Sequence, residues 1–106
     1  MVKRGDVWLV ALDPTLGSEI KKTRPCVVIS PPELNQHLKT VIMAPMTSQG
    51  FEAPFRIALK FQDKQGLILL DQIRSVDKAR LVKRLGSVPA ATLQQVLNTM
   101  QELFSA

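Results

Sequence analysis

Residues 55–70 read Phe55-Arg56-Ile57-Ala58-Leu59-Lys60-Phe61-Gln62-Asp63-Lys64-Gln65-Gly66-Leu67-Ile68-Leu69-Leu70. Phe55, Ile57, Leu59 and Phe61 alternate with Arg56, Ala58 and Lys60, the period-two pattern of a strand with one face buried. Asp63-Lys64-Gln65-Gly66 is turn chemistry, because Gly66 can take a positive φ at no steric cost. Leu67-Ile68-Leu69-Leu70 then makes a buried strand running into Asp71-Gln72-Ile73-Arg74.

The same grammar repeats upstream. Val7-Trp8-Leu9-Val10-Ala11-Leu12 is a β-rich run ended by Asp13-Pro14-Thr15, where proline removes a ladder donor. Residues 13–23 hold Pro14, Gly17 and Ser18 with no periodicity, a long loop of the kind that often carries function. Cys26-Val27-Val28-Ile29-Ser30 is apolar on both faces and reads as an interior strand stopped by Pro31-Pro32. Glu33-Leu34-Asn35-Gln36-His37 has room for one helical turn, and Thr40-Val41-Ile42-Met43-Ala44-Pro45-Met46 is a third strand before the polar loop Thr47-Ser48-Gln49-Gly50. At the C-terminus, Leu93, Val96, Leu97, Met100, Leu103 and Phe104 form one apolar stripe of a helix begun at Pro89. Short strands without a βαβ rhythm, plus one helix, predict a strongly bent antiparallel barrel or half-barrel closed by that helix.

At 106 residues the chain has room for one hydrophobic core. No apolar run approaches the ~18 residues needed to span a bilayer, and Met1-Val2-Lys3-Arg4-Gly5-Asp6 lacks the apolar stretch of a signal peptide. A cytoplasmic location is the expectation. The single cysteine, Cys26, excludes an intrachain disulfide and a multi-cysteine zinc site, and reads as an inert buried thiol. The net charge of +5 favours a polyanionic partner. Five basic residues and one acid lie between Arg74 and Arg84, and Lys21, Lys22 and Arg24 form a second basic cluster.

Arg4-Gly5-Asp6-Val7-Trp8, Asp13-Pro14, Gly17-Ser18-Glu19 and Thr23-Arg24-Pro25 running into a strand resemble the MazF/PemK toxin family. Pro45-Met46-Thr47-Ser48 and Leu70-Asp71-Gln72-Ile73-Arg74-Ser75-Val76-Asp77 resemble its remaining signatures, in the same order. The resemblance spans nearly the whole chain and implies a single toxin domain over residues 1–106. It implies a mainly β, SH3-like barrel of short antiparallel strands with a C-terminal α-helix. It also implies a sequence-specific, metal-independent endoribonuclease that cleaves single-stranded RNA, using no cofactor. The expected partners are messenger RNA, a cognate antitoxin with an acidic tail and a second copy of the chain, in a homodimer; no membrane is involved.

Carried over position by position, the resemblance implies Arg24 and Thr47 as the catalytic pair. The chemistry suits them. Metal-free RNA cleavage uses the substrate's 2′-OH against the adjacent phosphorus, and a guanidinium grips phosphoryl oxygens with a bidentate fork and keeps its proton. A threonine hydroxyl donates to a phosphoryl oxygen or orients the 2′-OH. Arginine is a poor proton acceptor, so Glu19 or Asp71 is expected to take the proton. Some relatives place a histidine after the loop glycine and an arginine two positions before the Asp-Gln pair; here those positions hold Ser18 and Leu69.

The expected RNA-binding residues are Ser18, Lys21, Lys22, Ser48, Gln49, Gln72 and Arg74. Each has a plainer reading beside it. Lys21 and Lys22 are also what a solvated charge pair looks like, and Ser48 and Gln49 suit an ordinary turn. Asp71, Gln72 and Arg74 either read base edges or tie strands together at a barrel corner. Two other functions share these features: a non-catalytic gyrase poison like the CcdB toxins, which resemble the family in fold, and a nucleic-acid-binding β-barrel without catalysis.

Overall fold

A computed structural model describes all 106 residues, Met1–Ala106. Seven strands form one antiparallel sheet: β1 (Asp6–Ala11), β2 (Thr23–Val28), β3 (Thr40–Thr47), β4 (Arg56–Phe61), β5 (Lys64–Leu69), β6 (Arg74–Asp77) and β7 (Leu81–Ser87). A short helix α1 (Pro32–His37) links β2 to β3, and α2 (Ala90–Leu103) closes the chain. The strand order is β4-β5-β3-β2-β1-β7, with β6 also paired to β3. β3 is the hub. Its Met43 faces Val28 of β2 on one edge and Arg74 of β6 on the other, while Met46 and Thr47 pair with Ile68 and Leu67 of β5. A 3-10 turn over Leu70–Gln72 lets the chain change from β5 to β6 along that shared edge.

Because side chains alternate along each strand, the curled sheet buries two clusters. One joins Val7, Val27, Ala44, Met46, Ile57 and Ile68 to Val96 of α2, with Leu93, Leu97 and Met100 packed against it. The other joins Val10, Cys26, Val28, Val41, Met43 and Val76. β2 feeds both, which is why its sequence is apolar on both faces. Burying a valine such as Val96 contributes about 1.5–3 kcal/mol. The expected helical stripe covers the sheet only as far as Met100; Leu103 and Phe104 are exposed.

The half-barrel leaves β4 and β7 unpaired with each other. Side chains bridge that gap, since Gln62 Nε2 donates to Leu85 O at 3.3 Å and a Cβ on Gly86 would lie 3.4 Å from the Phe61 ring. On β1 beside this part of β7, buried Asp6 accepts from Lys3 N at 2.9 Å and from Trp8 Nε1 at 3.4 Å. Arg84 Nε lies 3.3 Å from the same carboxylate. The Arg4-Gly5-Asp6-Val7-Trp8 motif is therefore a corner clasp.

Four sequence expectations change. The hairpin turn is the pair Gln62 and Asp63, with φ of 50° and 63°, as a primed two-residue turn requires. Gly66 lies inside β5, where a Cβ would come within 3.1 Å of Thr47 O, so its role is close backbone approach rather than a turn. The basic segment after Asp71 forms β6 and β7, and β2 starts at Thr23, three residues ahead of the apolar run. No helix is long and apolar enough to cross a membrane.

Candidate functional site

Arg24 of β2 and Thr47 of β3 each lie two residues beyond the Cys26–Pro45 pair that ends the β2–β3 ladder. Both side chains are half-buried, and both line one open cleft of about 250 Å³ with Ser48, Lys64, Gln65 and Gly66.

The Arg24 side chain makes a single hydrogen bond, from Nε to Lys21 O at 3.2 Å, and no carboxylate pairs with it. Its two terminal amino groups are uncommitted. Thr47 Oγ1 accepts from Gln49 N at 3.1 Å, which leaves the hydroxyl proton available to a ligand oxygen. That bond also folds Ser48 and Gln49 into a turn at the cleft mouth. The Thr47 backbone is fixed by its pairing with Leu67 and by the Gly66 backbone beside it. The cleft thus offers one free guanidinium fork and one free hydroxyl.

Five of the remaining predicted residues gather in a second, larger depression of about 840 Å³, between the long loop and the 3-10 turn. Ser18, Glu19, Asp71, Gln72 and Arg74 line it. The loop is pinned from below. Gln72 Oε1 accepts from Ile20 N at 2.7 Å, Arg74 Nη1 donates to Leu12 O at 3.2 Å, and Arg80 Nη1 donates to Ala11 O and Asp13 O at 3.1 and 2.6 Å. Gln72 and Arg74 therefore hold the loop in this state, the corner-network reading, while Lys21 and Lys22 stay exposed on it.

The two carboxylates differ. Asp71 receives Arg56 Nε and Nη2 at 3.1 and 3.0 Å, and this bonding raises the Arg56 pKa above its ordinary value. Arg56 stands directly across from Leu69 in the β4–β5 register. Its side chain is only 10% exposed, which makes it a support for Asp71 rather than a group open to ligand. Glu19 is exposed and uses one oxygen to accept Leu16 N at 2.6 Å; the other is free. Neither carboxylate lines the cleft of Arg24 and Thr47.

Burial pushes the Cys26 thiol up to about 12, with Arg74 offsetting only part of the effect. It is a protonated packing residue. His37 is exposed, with Nδ1 2.7 Å from Glu33 O. No three His, Cys, Asp or Glu side chains come together in a metal-holding group. Sequence reading missed Lys64 and Gln65, because it placed them in the turn. Counting Gln62-Asp63 as a two-residue hairpin turn would have put both on the strand facing the cleft.

A model of the family described as "PemK-like, MazF-like toxin of type II toxin-antitoxin system" matches residues 3–104. The chain belongs to this family. Among PemK-like relatives, the chain is 34% identical over 110 residues to Endoribonuclease PemK of Escherichia coli, covering 98% of this chain and 83% of that protein. The fold is similar to that of the crystal structure of MazF from Deinococcus radiodurans, with a TM-score of 0.85, 28% identity and coverage of 96% and 94% of the two chains. It is also similar to a chain of a MazE-MazF crystal structure from the same organism, with a TM-score of 0.79, 28% identity and the same coverage. The mainly β half-barrel with a C-terminal helix is thus the MazF/PemK toxin fold.

Proposed function

We propose that this MazF/PemK family toxin is a metal-independent endoribonuclease of single-stranded RNA, with Arg24 and Thr47 as its catalytic pair. One observation carries the reading: an unpaired guanidinium and a free hydroxyl line the same open cleft. The E. coli relative named an endoribonuclease supports the activity.

In the reaction, the 2′-oxygen bonds to phosphorus as the bond from phosphorus to the 5′-oxygen breaks. The products are a 2′,3′-cyclic phosphate and a 5′-hydroxyl. Arg24 holds the non-bridging oxygens and neutralises the charge that builds on them, and Thr47 donates to the same phosphoryl group or aligns the 2′-OH. A preorganised donor of this kind is worth about 2.7–4 kcal/mol of barrier. Of the two carboxylates, Glu19 has an unengaged oxygen while the charge of Asp71 is matched by Arg56. Because neither lines the cleft, Glu19 takes the 2′-OH proton only if its loop moves toward the bound RNA, and water takes it otherwise. The leaving 5′-oxygen gains a proton from solvent. Lys21, Lys22, Lys64, Ser48 and Gln49 hold flanking nucleotides.

The toxin acts as a homodimer and is inhibited by an antitoxin whose acidic segment occupies the RNA surface. The similarity to a MazE-MazF complex and the +5 charge support that partner. The test is a defined single-stranded RNA library incubated with the protein in EDTA, with the ends mapped. Cyclic phosphate and 5′-hydroxyl ends at a recurring sequence are expected. Cleavage that requires magnesium, or binding without cleavage, overturns the reading.

A further inference from the structure

Phe51 is 67% exposed in the segment that follows Thr47, yet its ring is not free. The guanidinium carbon of Arg56 lies 4.2 Å from the ring centroid, covering one face and leaving the other to solvent. Three bonds fix the guanidinium: two to the carboxylate of Asp71, at 3.1 and 3.0 Å, and one from Nη1 to Phe51 O at 3.4 Å. Gly50 joins this assembly to the cleft. A Cβ there would lie 3.3 Å from Arg56 Nη1 and 3.8 Å from Thr47 Cγ2, at a φ of +127° that itself favours glycine. The supported ring therefore stands beside the wall that presents the Thr47 hydroxyl.

We propose that Phe51 is a stacking platform for one unpaired base of the RNA, within two nucleotides of the scissile phosphate. Arg56 and Asp71 are positioning residues that hold the ring; the inference rests on the ribonuclease reading above. A cation beneath an aromatic face is attractive by itself, so the ring is held before substrate arrives and loses little freedom when a base covers its outer face. Stacking of this kind tolerates any base, because every base has a π-face. The platform thus fixes the strand's register over Thr47 and leaves base identity to hydrogen bonds elsewhere. A protein contact needs a broader apolar patch, and here the exposed neighbours of Phe51 along the chain, Ser48, Gln49 and Glu52, are polar.

The experiment measures single-turnover cleavage of an oligonucleotide carrying the mapped site by the wild type, Phe51→Ala and Phe51→Trp. Each protein is also given a series of oligonucleotides with one abasic nucleotide at successive positions around the cut. Phe51→Ala should lower kcat/KM by about 5- to 150-fold on intact RNA, and Phe51→Trp should retain the activity. The penalty for Phe51→Ala should vanish on one abasic RNA, the one lacking the stacked base. Equal penalties on every RNA, or none on intact RNA, overturn the proposal. So does a Phe51→Ala variant with normal cleavage and weakened self-association or antitoxin binding, which would make the ring a protein contact. If the wild type cuts no RNA, the ribonuclease reading falls and the platform with it; wild-type cleavage with no Phe51 effect removes the platform alone.

Discussion

Gly66→Ala tests how finely the fold places the Thr47 hydroxyl. Gly66 pairs with Leu59 inside β5, and an added Cβ would lie 3.1 Å from Thr47 O and 3.8 Å from Thr47 C. Two effects oppose each other. Alanine restricts the unfolded chain, which stabilises by about 0.4–1 kcal/mol. The new methyl meets a carbonyl held in the ladder by the pairing of Thr47 with Leu67, so Thr47 must give by a few tenths of an ångström. Overpacking costs about 1–3 kcal/mol in a closed core, and this half-open site belongs at the lower end. Net stability should stay within about 1 kcal/mol of the wild type. Catalysis is more sensitive: a misplacement of ~1 Å costs up to ~100-fold, so a shift of this size should lower kcat about 3- to 10-fold. Urea denaturation and single-turnover RNA cleavage read the two quantities separately. An unchanged kcat, or a loss of 3 kcal/mol or more in stability with full activity in the folded fraction, would refute the placement of Thr47 against Gly66.

The ion pair of Arg56 with Asp71 is 10% and 31% exposed, between surface pairs worth ~0–1 kcal/mol and buried ones whose breaking costs ~3–5 kcal/mol. A double-mutant cycle with Arg56→Ala and Asp71→Ala in urea should therefore give a coupling of about 1–2 kcal/mol. In the unfolded chain the Cys26 thiol ionises near 9.0, but burial holds it protonated to about 12 in the fold. The folded state then binds more protons in that window, so stability is lost as pH rises from 9, at about 1.4 kcal/mol per unit. Cys26→Ala should remove this slope in denaturation curves taken at pH 8 and pH 10.5. Lys64→Gln, in the cleft wall, should weaken RNA binding across sequences and reduce the slope of log affinity against log salt by about 0.7, with stability unchanged.

The strands and the long loop were legible because hydrophobic alternation and proline act locally. The helix was legible through Val96, though the stripe did not show that the sheet ends before Leu103 and Phe104. β6 and β7 were hidden, because Arg74 in β6 and Lys83 and Arg84 in β7 interrupt apolar alternation, and a 3-10 turn over Lys78–Arg80 separates the two strands. Arg24 and Thr47 were readable as chemical types, but their apposition depends on a register that motif spacing alone does not supply. The support of Asp71 by Arg56 is likewise a cross-strand matter, since the two residues are distant in sequence and adjacent only once β4 meets β5. Phe51 is not legible in the sequence, because an isolated aromatic in a polar loop carries no periodic signal.

Single-turnover cleavage in EDTA by Arg24→Ala, Thr47→Ala and the double variant asks whether the two side chains serve one phosphate. Groups that act as a unit are strongly non-additive. Each single variant should lose at least ~100-fold, and the double variant should be within a few-fold of the slower single one. Wild-type rates from Arg24→Ala, or losses that multiply fully in the double variant, would contradict a shared site across the β2–β3 pair.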